Sequence, residues 1–401
     1  MAILLRDEER ANLHNGVYVY RCVNQSLLEP YLTPFWEYAA ARVPRWVSTN
    51  LKHNFFAFSR YSFPLFSLFF FKLSLLQVHP NILTLFGSLA IVPSFILYAY
   101  YSWGMTETVP VWVCATALVG IFLFQTLDNL DGKQARKLGL SSPIGDWFDH
   151  SLDILSLYLL LSQVATSSYH GHTDHPILNV FAQLAPAVMH YFCFWDRVWT
   201  RELFLGPMSM TEGQVVISVL LIAGPVLGQE GWTSKVVGNM DVGDMMCWIA
   251  AGVFTVVSPL GIIHRVITHP ERKTSLFTIF LHSLDIVVAY GGAMTWAALS
   301  SVTSSNTRLM MYMCGLCVTN VTSFTLLTSL MRGPHRGFYV CTLPWVGVVN
   351  HIWGAIPEMA MVVGVFIVAA SIQMFILSAT LHDLRQHLSL RLFHVPREKW
   401  Q

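Results

Sequence analysis

Charged residues are scarce in this sequence. They make up 12% of its 401 residues, against about 25% in an ordinary soluble domain, whereas 54% of the residues are hydrophobic. So few charges cannot cover the surface of a chain of this length in water. An aromatic content of 13% excludes a disordered chain, and a formal net charge of only +1 argues against nucleic acid as a partner. The class that remains is an all-α, polytopic helical membrane protein.

Features of a secreted or a zinc-binding protein are also missing. The apolar stretch 1–5 is too short for a signal peptide, because a run of charged residues follows it. The seven cysteines lie mostly within apolar runs. Cys314 and Cys317 form a C-x-x-C without a second pair, so we interpret them as helix-packing residues and not as zinc ligands.

Apolar runs between helix-breaking residues predict about ten transmembrane helices. Each needs about 20 apolar residues. The predicted spans are 82–103, 110–127, 147–166, 178–198, 213–228, 244–264, 277–298, 309–331, 337–355 and 358–381. The fifth span is short, and the ninth is weak because it contains Pro344 and His351.

The distribution of lysine and arginine predicts that both termini lie in the cytosol. With residues 1–81 placed there, 22 of the 24 basic residues fall in cytosolic segments, and only Lys235 and Arg308 do not. The positive-inside rule strongly favours such a distribution. The number of spans is then even, and eight or twelve spans are alternatives to ten.

Four aspartates lie at the predicted cytosolic ends of the second and third spans. Asp128 and Asp131 are three positions apart and Asp149 and Asp153 are four apart, so each pair shares a helix face. Carboxylates at membrane depth are costly and usually functional, and four at one surface would repel each other unless cations bind between them. Oxygen ligands suit Mg²⁺, Mn²⁺ or Ca²⁺ and not Zn²⁺. Two metal ions bridged by aspartates recur in phosphoryl transfer.

Small and basic residues around these aspartates fit a phosphate-binding surface. Gly132 removes a side chain where a phosphate or sugar would approach the backbone, and Gly145 opens the start of the third span. Ala135 keeps the same face narrow, and Arg136 can donate two parallel hydrogen bonds to a phosphate. Charges that merely capped helix ends would not require four aspartates at two helical spacings.

Together these residues form the pattern D-x2-D-G-x2-A-R-x8-G-x3-D-x3-D, with all eight fixed positions filled between Asp128 and Asp153. A chance match is on the order of one in 10⁸. The pattern resembles the signature of the CDP-alcohol phosphotransferase family, and D-G-K-Q-A-R, S-S-P-x-G and F-D-H resemble its eukaryotic choline/ethanolamine phosphotransferase branch. Residues 24–30 and 35–37 look like the N-terminal amphipathic segment of that branch. Residues 80–84 look like its P-N-x-x-T sequence, and 211–214 like its T-E-x-Q sequence.

The resemblance implies the reaction and its setting. CDP-choline or CDP-ethanolamine and diacylglycerol would give a phospholipid and CMP, with two Mg²⁺ or Mn²⁺ ions per site holding the diphosphate. The metal ligands would be Asp128, Asp131, Asp149 and Asp153. The protein would be a multi-pass enzyme of the endoplasmic reticulum or Golgi membrane with its active site facing the cytosol, as a monomer or a homodimer.

We accordingly divide the chain into five segments. They are a cytosolic amphipathic segment (1–46), an atypical insertion (47–77), the catalytic core (78–215), C-terminal transmembrane helices (216–385) and a cytosolic tail (386–401).

Two residues are candidates for the base that takes the proton of the lipid hydroxyl. The family suggests Asp153. This sequence also places Asp146 and His150 one helical turn apart, and a carboxylate at that spacing can orient a histidine and raise its basicity. Asp146 departs from the branch, which usually carries glutamate there.

Three further residues are expected to contact the substrate, namely Asn81, Thr84 and Glu212. For Glu212 the alternative is a helix N-terminal charge favoured by the helix dipole. Cys22 and Asn24 replace a glycine and an aspartate of the branch. The preference for choline or ethanolamine therefore stays open.

Two other functions compete with this interpretation. An inositol or glycerol-phosphate transferase of the same family would use CDP-diacylglycerol, but those chains are usually about half this length. A transporter would use the aspartates as a cation site. Transporter sites usually lie near the midplane of the membrane between internal repeats, whereas these aspartates lie at one surface and no repeat is seen.

Residues 47–77 interrupt the family pattern, which runs directly from R-x-P-x-W to P-N. Apart from Lys72, residues 62–76 contain only Ser, Phe, Pro and Leu, which can all be written with pyrimidine-only codons. Val47 and Ser48 can be encoded by GTGAGT, and Gln77 by CAG, which are the two ends of an intron. We interpret the segment as a retained intron translated in frame. A re-entrant or interfacial helix is the alternative, since a full span would spoil the charge distribution.

The intron interpretation predicts a shorter spliced transcript that lacks the 31 codons of residues 47–77. It also predicts that deletion of Val47–Gln77 keeps or improves activity, because Trp46 then joins Val78 as in the family pattern. Sequencing the transcripts decides the matter. Messages that all contain these codons would contradict the interpretation.

Overall fold

Helices make up nearly all of the structure, a computed structural model that describes residues 4–14, 20–42, 79–270, 274–333 and 335–388. This confirms the all-α membrane protein expected from the composition. The atypical insertion 47–77 lies outside the described residues.

The described helices are, in order, α1 Asp7–His14, α2 Glu29–Arg42, α3 Pro80–Tyr101, α4 Val111–Leu138, α5 Pro143–Ser167, α6 Pro176–Thr200, α7 Met210–Trp232, α8 Val242–Gly252, α9 Ser258–Thr268, α10 Leu276–His282, α11 Leu284–Leu299, α12 Val302–Ser305, α13 Thr307–Met331, α14 Leu343–Trp353 and α15 Glu358–Leu388. A π-helical turn, Val253–Val257, joins α8 to α9, and 3-10 turns occupy His170–His172 and Gly337–Tyr339. The short strands are β1 Cys22–Asn24, β2 Leu203–Leu205, β3 Lys235–Val237 and β4 Met240–Asp241. β1 pairs with β2 in parallel, and β3 with β4 antiparallel.

Eight helical stretches in the described residues are long and apolar enough to cross a membrane. They are α3, α4, α6, α7, the stretch from α8 through α9, the stretch from α10 through α11, α13 and α15. These eight correspond to eight of the ten predicted spans. The third predicted span is α5, a 25-residue helix that carries the second aspartate pair at its start.

The ninth predicted span is a broken pass. Its helix α14 has only 11 residues, about 16 Å, because Pro344 opens it and Gly354 closes it in the left-handed conformation (φ 65°). Residues 345–358 nevertheless run along the whole length of α11. Trp345 Nε1 donates to Val288 O near the start of α11 (2.9 Å), and Ser300 Oγ, just beyond its end, donates to Glu358 Oε2 (2.6 Å). Within the described residues, α5 and α14 are not among the eight candidate spans, so the count of ten stays a prediction, with eight as the alternative from the sequence analysis.

The most buried helix is α13, which packs between α6 and α15. Its interior threonines donate their hydroxyls to the carbonyl four residues earlier, as seen at Thr319, Thr322, Thr325 and Thr328. Because each hydroxyl is satisfied within its own helix, the side chain can pack in an apolar interior without an unpaired polar group.

Both ends of the described chain meet at one end of the bundle. The N–H groups of Leu4 and Leu5 donate to Asp383 Oδ2, at 2.6 and 2.8 Å, and Glu9 pairs with Arg336. Two ends on the same side agree with an even number of passes. Their placement in the cytosol stays a prediction.

Arg308 is a buried cation at the opposite end of the bundle. It donates to the carbonyls of Ser102 (2.9 Å) and Trp103 (2.8 Å), and to the hydroxyls of Ser162 (2.7 Å) and Thr166 (2.5 Å). Within the described part of the chain these partners include no carboxylate. The guanidinium thus ties the loop after α3 and the end of α5 to the start of α13.

Arg308→Met should therefore destabilise the protein strongly. The substitution leaves buried carbonyls and hydroxyls without donors, at a cost of about 3 kcal/mol, and thermal unfolding of the detergent-solubilised protein should begin several degrees lower. Lys235→Met is the matched control, since Lys235 pairs with Asp174 at the solvent-exposed surface. Equal melting temperatures for the two variants would contradict this role of Arg308.

Candidate active site

The aspartates come together because α4 ends and α5 begins within a four-residue turn. Gly139 closes α4 in the left-handed conformation (φ 59°), and the Ser142 side chain caps α5, whose first residue is Pro143. The end of one helix and the start of the next therefore lie side by side. Asp128 and Asp131 on α4 then face Asp149 and Asp153 on α5.

Three of the four carboxylates form a tight cluster. Asp128, Asp131 and Asp149 each present one oxygen within 4.8 Å of the other two. Asp153, one turn further along α5, is buried and in contact with Asp128. The buried Oδ1 atoms of Asp149 and Asp153 have no hydrogen-bond partner among the described residues.

This donor set fits a divalent cation. Buried carboxylates with unpartnered oxygens are stable only if positive charge balances them, and a set of oxygen donors suits a hard ion such as Mg²⁺ or Mn²⁺. Thr84 on α3 donates its hydroxyl to Asp131 Oδ2 and so orients that carboxylate from behind. The cluster can therefore hold metal, and the oxygen donors alone do not select between these two ions.

The predicted substrate-contacting residues surround the cluster. A cavity of about 410 Å³, which we call the polar lobe, is lined by Asn81, Thr84, Gly132, Ala135, Arg136 and Gly145. The two glycines allow close approach: a Cβ on Gly145 would lie 3.3 Å from Asn81 Oδ1, and one on Gly132 would lie 3.4 Å from Arg136 Nη1. The structure thus brings these six residues together, and their contacts with substrate stay a prediction.

A second, deeper cavity meets the polar lobe at the aspartates. This deep lobe, about 510 Å³, extends from the cluster between α5, α6, α7 and the turn after α8. Its inner walls are apolar, formed by Leu157, Leu161, Met189, Val216, Leu220 and Phe254. The two lobes share six lining residues, namely Tyr20, Asp131, Gly132, Arg136, Asp149 and His150. The carboxylate cluster therefore lies where a polar space meets an apolar one.

His150 and Asp146 make the contact that their spacing predicts. His150 Nδ1 lies 3.0 Å from Asp146 Oδ1 and 2.8 Å from the Asp146 carbonyl oxygen. Because both neighbours are acceptors, Nδ1 carries a proton and Nε2 is the basic nitrogen of the neutral ring.

Arg197 is a residue of the site that the sequence reasoning missed. Its Nη1 and Nη2 donate to the two oxygens of Asp146, at 3.1 and 2.7 Å, and the guanidinium is buried. This bidentate pair fixes the orientation of the Asp146 carboxylate. The adjacent Asp196 and Arg197 at the end of the predicted span 178–198 were the available signal.

Glu212 has a different environment from the one expected. Its Oε2 accepts from the Ser209 backbone N–H (2.8 Å) as part of a capping box at the start of α7. Its Oε1 accepts from Ser26 Oγ (2.5 Å) and the Leu28 N–H (2.8 Å). Both oxygens are thus engaged by protein, which favours the alternative of a helix N-terminal charge, here one that also holds the N-terminal segment.

That N-terminal segment forms one wall of the deep lobe. Residues 20–42, which we call the arm, pair through β1 with β2 and lay α2 along α4, where Lys137 Nζ donates to Ala40 O (3.1 Å). The arm residues lining the lobe are Tyr20, Cys22, Asn24, Glu29 and Thr33. The sequence analysis placed the arm on the cytosolic side but assigned none of these side chains to the site.

A carboxylate cluster at one end of a helical membrane bundle, open to both a polar and an apolar cavity, defines a membrane-embedded site for a charged ligand. Part of the chain matches a known family model. Residues 77–257 match the model of the family described as CDP-alcohol phosphatidyltransferase, which confirms the recognition made from the aspartate motif. All eight fixed motif positions lie inside this match.

The chain is similar to three named relatives over part of its length. An uncharacterized CDP-alcohol phosphatidyltransferase class-I family protein 3 from Dictyostelium discoideum is 35% identical over 161 residues, 40% of each chain. Cholinephosphotransferase 1 from Gallus gallus is 28% identical, over 54% of this chain and 55% of the relative. Choline/ethanolaminephosphotransferase 1 from Saccharomyces cerevisiae is 27% identical, over 61% and 54%. The chain thus spans about half the length of these relatives, or less.

Substituting single aspartates of the cluster should weaken metal binding. We expect Asp128→Asn and Asp149→Asn each to weaken Mn²⁺ binding at least tenfold, because each removes one charged ligand from the cluster. Mn²⁺ titration of the purified protein, followed by electron paramagnetic resonance, measures this directly. Asp174→Asn, at the opposite end of the bundle, is the control and should bind as the wild type does. Unchanged affinity in both cluster variants would exclude the metal site.

Proposed function

We propose that the protein transfers phosphocholine or phosphoethanolamine from CDP-choline or CDP-ethanolamine to diacylglycerol. The products are phosphatidylcholine or phosphatidylethanolamine and CMP. The observation that carries the proposal is the meeting of the polar lobe and the deep lobe at Asp131 and Asp149, beside Asp128 and Asp153 in the deep lobe. A soluble nucleotide donor and a membrane-dissolved acceptor can reach the same atoms only at such a boundary.

The polar lobe suits the nucleotide donor. Arg136 supplies a guanidinium for phosphate, and Asn81, Gly132, Ala135 and Gly145 leave room for the diphosphate and sugar against the helix backbones. The relatives named for choline and ethanolamine phosphotransfer support a CDP-amino alcohol as the donor.

The deep lobe suits the lipid acceptor. Its apolar walls can receive acyl chains of diacylglycerol, since burial of apolar surface stabilises the bound lipid. The lipid hydroxyl then lies at the aspartate end, where the phosphorus must be. Bringing the two reactants together in a fixed orientation is a large part of what such a site contributes.

Two Mg²⁺ or Mn²⁺ ions bound by Asp128, Asp131, Asp149 and Asp153 would neutralise charge on the diphosphate. The lipid oxygen bonds to the phosphorus that carries the amino alcohol, and the bond from that phosphorus to the CMP oxygen breaks. The hydroxyl proton passes to a base of the protein and then to solvent.

We assign the base to His150, with Asp153 as the alternative. His150 lines both lobes, and its Nδ1–H contact with Asp146 leaves Nε2 as the proton acceptor. Arg197 holds Asp146 in place. Asp153, as a metal ligand, is the less basic group. Asp146 and Arg197 are thus positioning residues in this proposal.

The family resemblance suggests the cellular setting, and the charge distribution supports the orientation. A polytopic enzyme of the endoplasmic reticulum or Golgi membrane with its aspartates on the cytosolic side agrees with the positions of 22 of 24 basic residues. Lys235 and Arg308, the two exceptions, lie at the end of the bundle away from the aspartates.

One assay tests the function. Purified protein with diacylglycerol and Mg²⁺ or Mn²⁺ should release CMP from CDP-choline or CDP-ethanolamine. Release of CMP from CDP-diacylglycerol with inositol or glycerol phosphate would instead indicate the other branch of the family. Cation movement into proteoliposomes without CMP release would indicate a transporter.

His150→Ala should lower kcat about 100-fold and change KM for the CDP-amino alcohol little, because a general base acts in the transition state. Steady-state kinetics of CMP release measures both constants. His172→Ala, an exposed substitution at the far end of the bundle, is the control. A near-normal kcat in His150→Ala would indicate that Asp153 is the general base.

A further inference from the structure

We propose that the Glu29 carboxylate binds the ammonium group of the donor's amino alcohol, an inference that rests on the proposed function and adds the recognition of the headgroup to it. Glu29 opens α2 and lines the deep lobe from the arm side. Nothing in the aspartate motif points to it, because it lies about 100 positions earlier in the chain.

The charges lining the two lobes single out this residue. Among the described residues of the deep lobe, Glu29 is the only carboxylate outside the aspartate cluster. In the polar lobe the carboxylate outside the cluster is Asp146, and Arg197 already neutralises it. A cationic headgroup therefore has one acidic partner in the lobes that is neither in the cluster nor ion-paired within the described residues, although Lys133 and Arg136 also line the deep lobe.

The geometry of the reaction points to the same lobe. The reacting phosphorus has to lie at the aspartates, and the nucleotide and the amino alcohol leave the diphosphate in different directions. If the polar lobe holds the nucleotide, the amino alcohol enters the part of the deep lobe beside the arm. This part carries polar residues of the arm and of α4, among them Asn24, Thr33 and Asn129.

The backbone of Glu29 is fixed while its carboxylate is left without a partner. Its N–H donates to Ser26 Oγ (3.0 Å), and its carbonyl accepts from Thr33 Oγ1 (2.7 Å). Ser26 is held in turn by Glu212 (2.5 Å). Within the part of the chain that the structure describes, the Glu29 carboxylate itself makes no hydrogen bond and no ion pair.

The environment of this carboxylate favours a bound cation. Partial burial raises the pKa of Glu29 above its usual value; nearby Lys133 lowers it, and the negative charge of Glu212 raises it further. An ammonium group beside the carboxylate would stabilise the ionised form. Lys133 is too far for an ion pair in the structure, so it does not occupy that position.

The test compares donors that differ only in the headgroup charge. CDP-propanol is the neutral analogue of CDP-ethanolamine, and CDP-3,3-dimethylbutanol that of CDP-choline. We expect the wild type, with diacylglycerol and Mn²⁺, to prefer the cationic donor of its preferred pair at least tenfold in kcat/KM. Glu29→Gln should bring this ratio to within about threefold of one, with kcat/KM for the neutral donor changed less than threefold.

Two further variants separate charge recognition from folding. Glu29→Asp keeps the charge on a shorter arm and should retain part of the preference. Glu37→Gln removes a charge from the exposed face of the same helix and should keep the wild-type ratio. If Glu29→Gln keeps the wild-type ratio, or lowers turnover of cationic and neutral donors equally, the inference is overturned. If the wild type releases CMP from none of the four donors, the proposed function fails and the inference with it.

Discussion

Mutual repulsion among carboxylates at the end of a membrane bundle is the constraint on which the rest of this structure depends. Two helix ends carry four aspartates, and a four-residue turn leaves no room to separate them. Bound cations must balance this repulsion, and cations can reach the carboxylates only from water. The cluster therefore has to lie at the mouth of the bundle, with Asp131 and Asp153 buried and Asp128 and Asp149 half-buried, and both cavities open onto it.

A second layer of polar contacts holds the cluster and its surroundings in position. Thr84 orients Asp131, and Arg197 holds Asp146, which in turn holds His150. Glu212 ties the arm to the start of α7. Each of these contacts joins segments far apart in the chain. Such contacts are strong because they are charge-assisted and removed from water.

The arm converts an open helix-end site into a walled cavity. Without residues 20–42, the deep lobe would lack the wall that carries Tyr20 and Glu29. The wall is held mainly by backbone pairing of β1 with β2 and by contacts to Glu212. The proposed donor, part nucleotide and part amino alcohol, would thus meet the four-aspartate helices on one side and the arm on the other.

The chemistry of the site could be predicted from the sequence because it is local. Asp128 and Asp131, like Asp149 and Asp153, share helix faces by spacing alone, and helical spacing also joined Asp146 to His150. The membrane class and the approximate number of passes followed from hydrophobic runs, which reflect the cost of exposing backbone to lipid. The ninth predicted span was weak in the sequence, and a proline and a glycine limit its helix to 11 residues, so it is not among the eight candidate spans of the described chain.

Only the tertiary structure decided the contacts between residues far apart in the sequence. Arg197 reaches Asp146 across 51 positions, and Ser26 reaches Glu212 across 186. No periodicity encodes such pairs, because they depend on how α6 and the arm pack against α5 and α7. The same holds for Glu29, which by sequence is only a helix-starting acid, and which the fold places in the wall of the cavity.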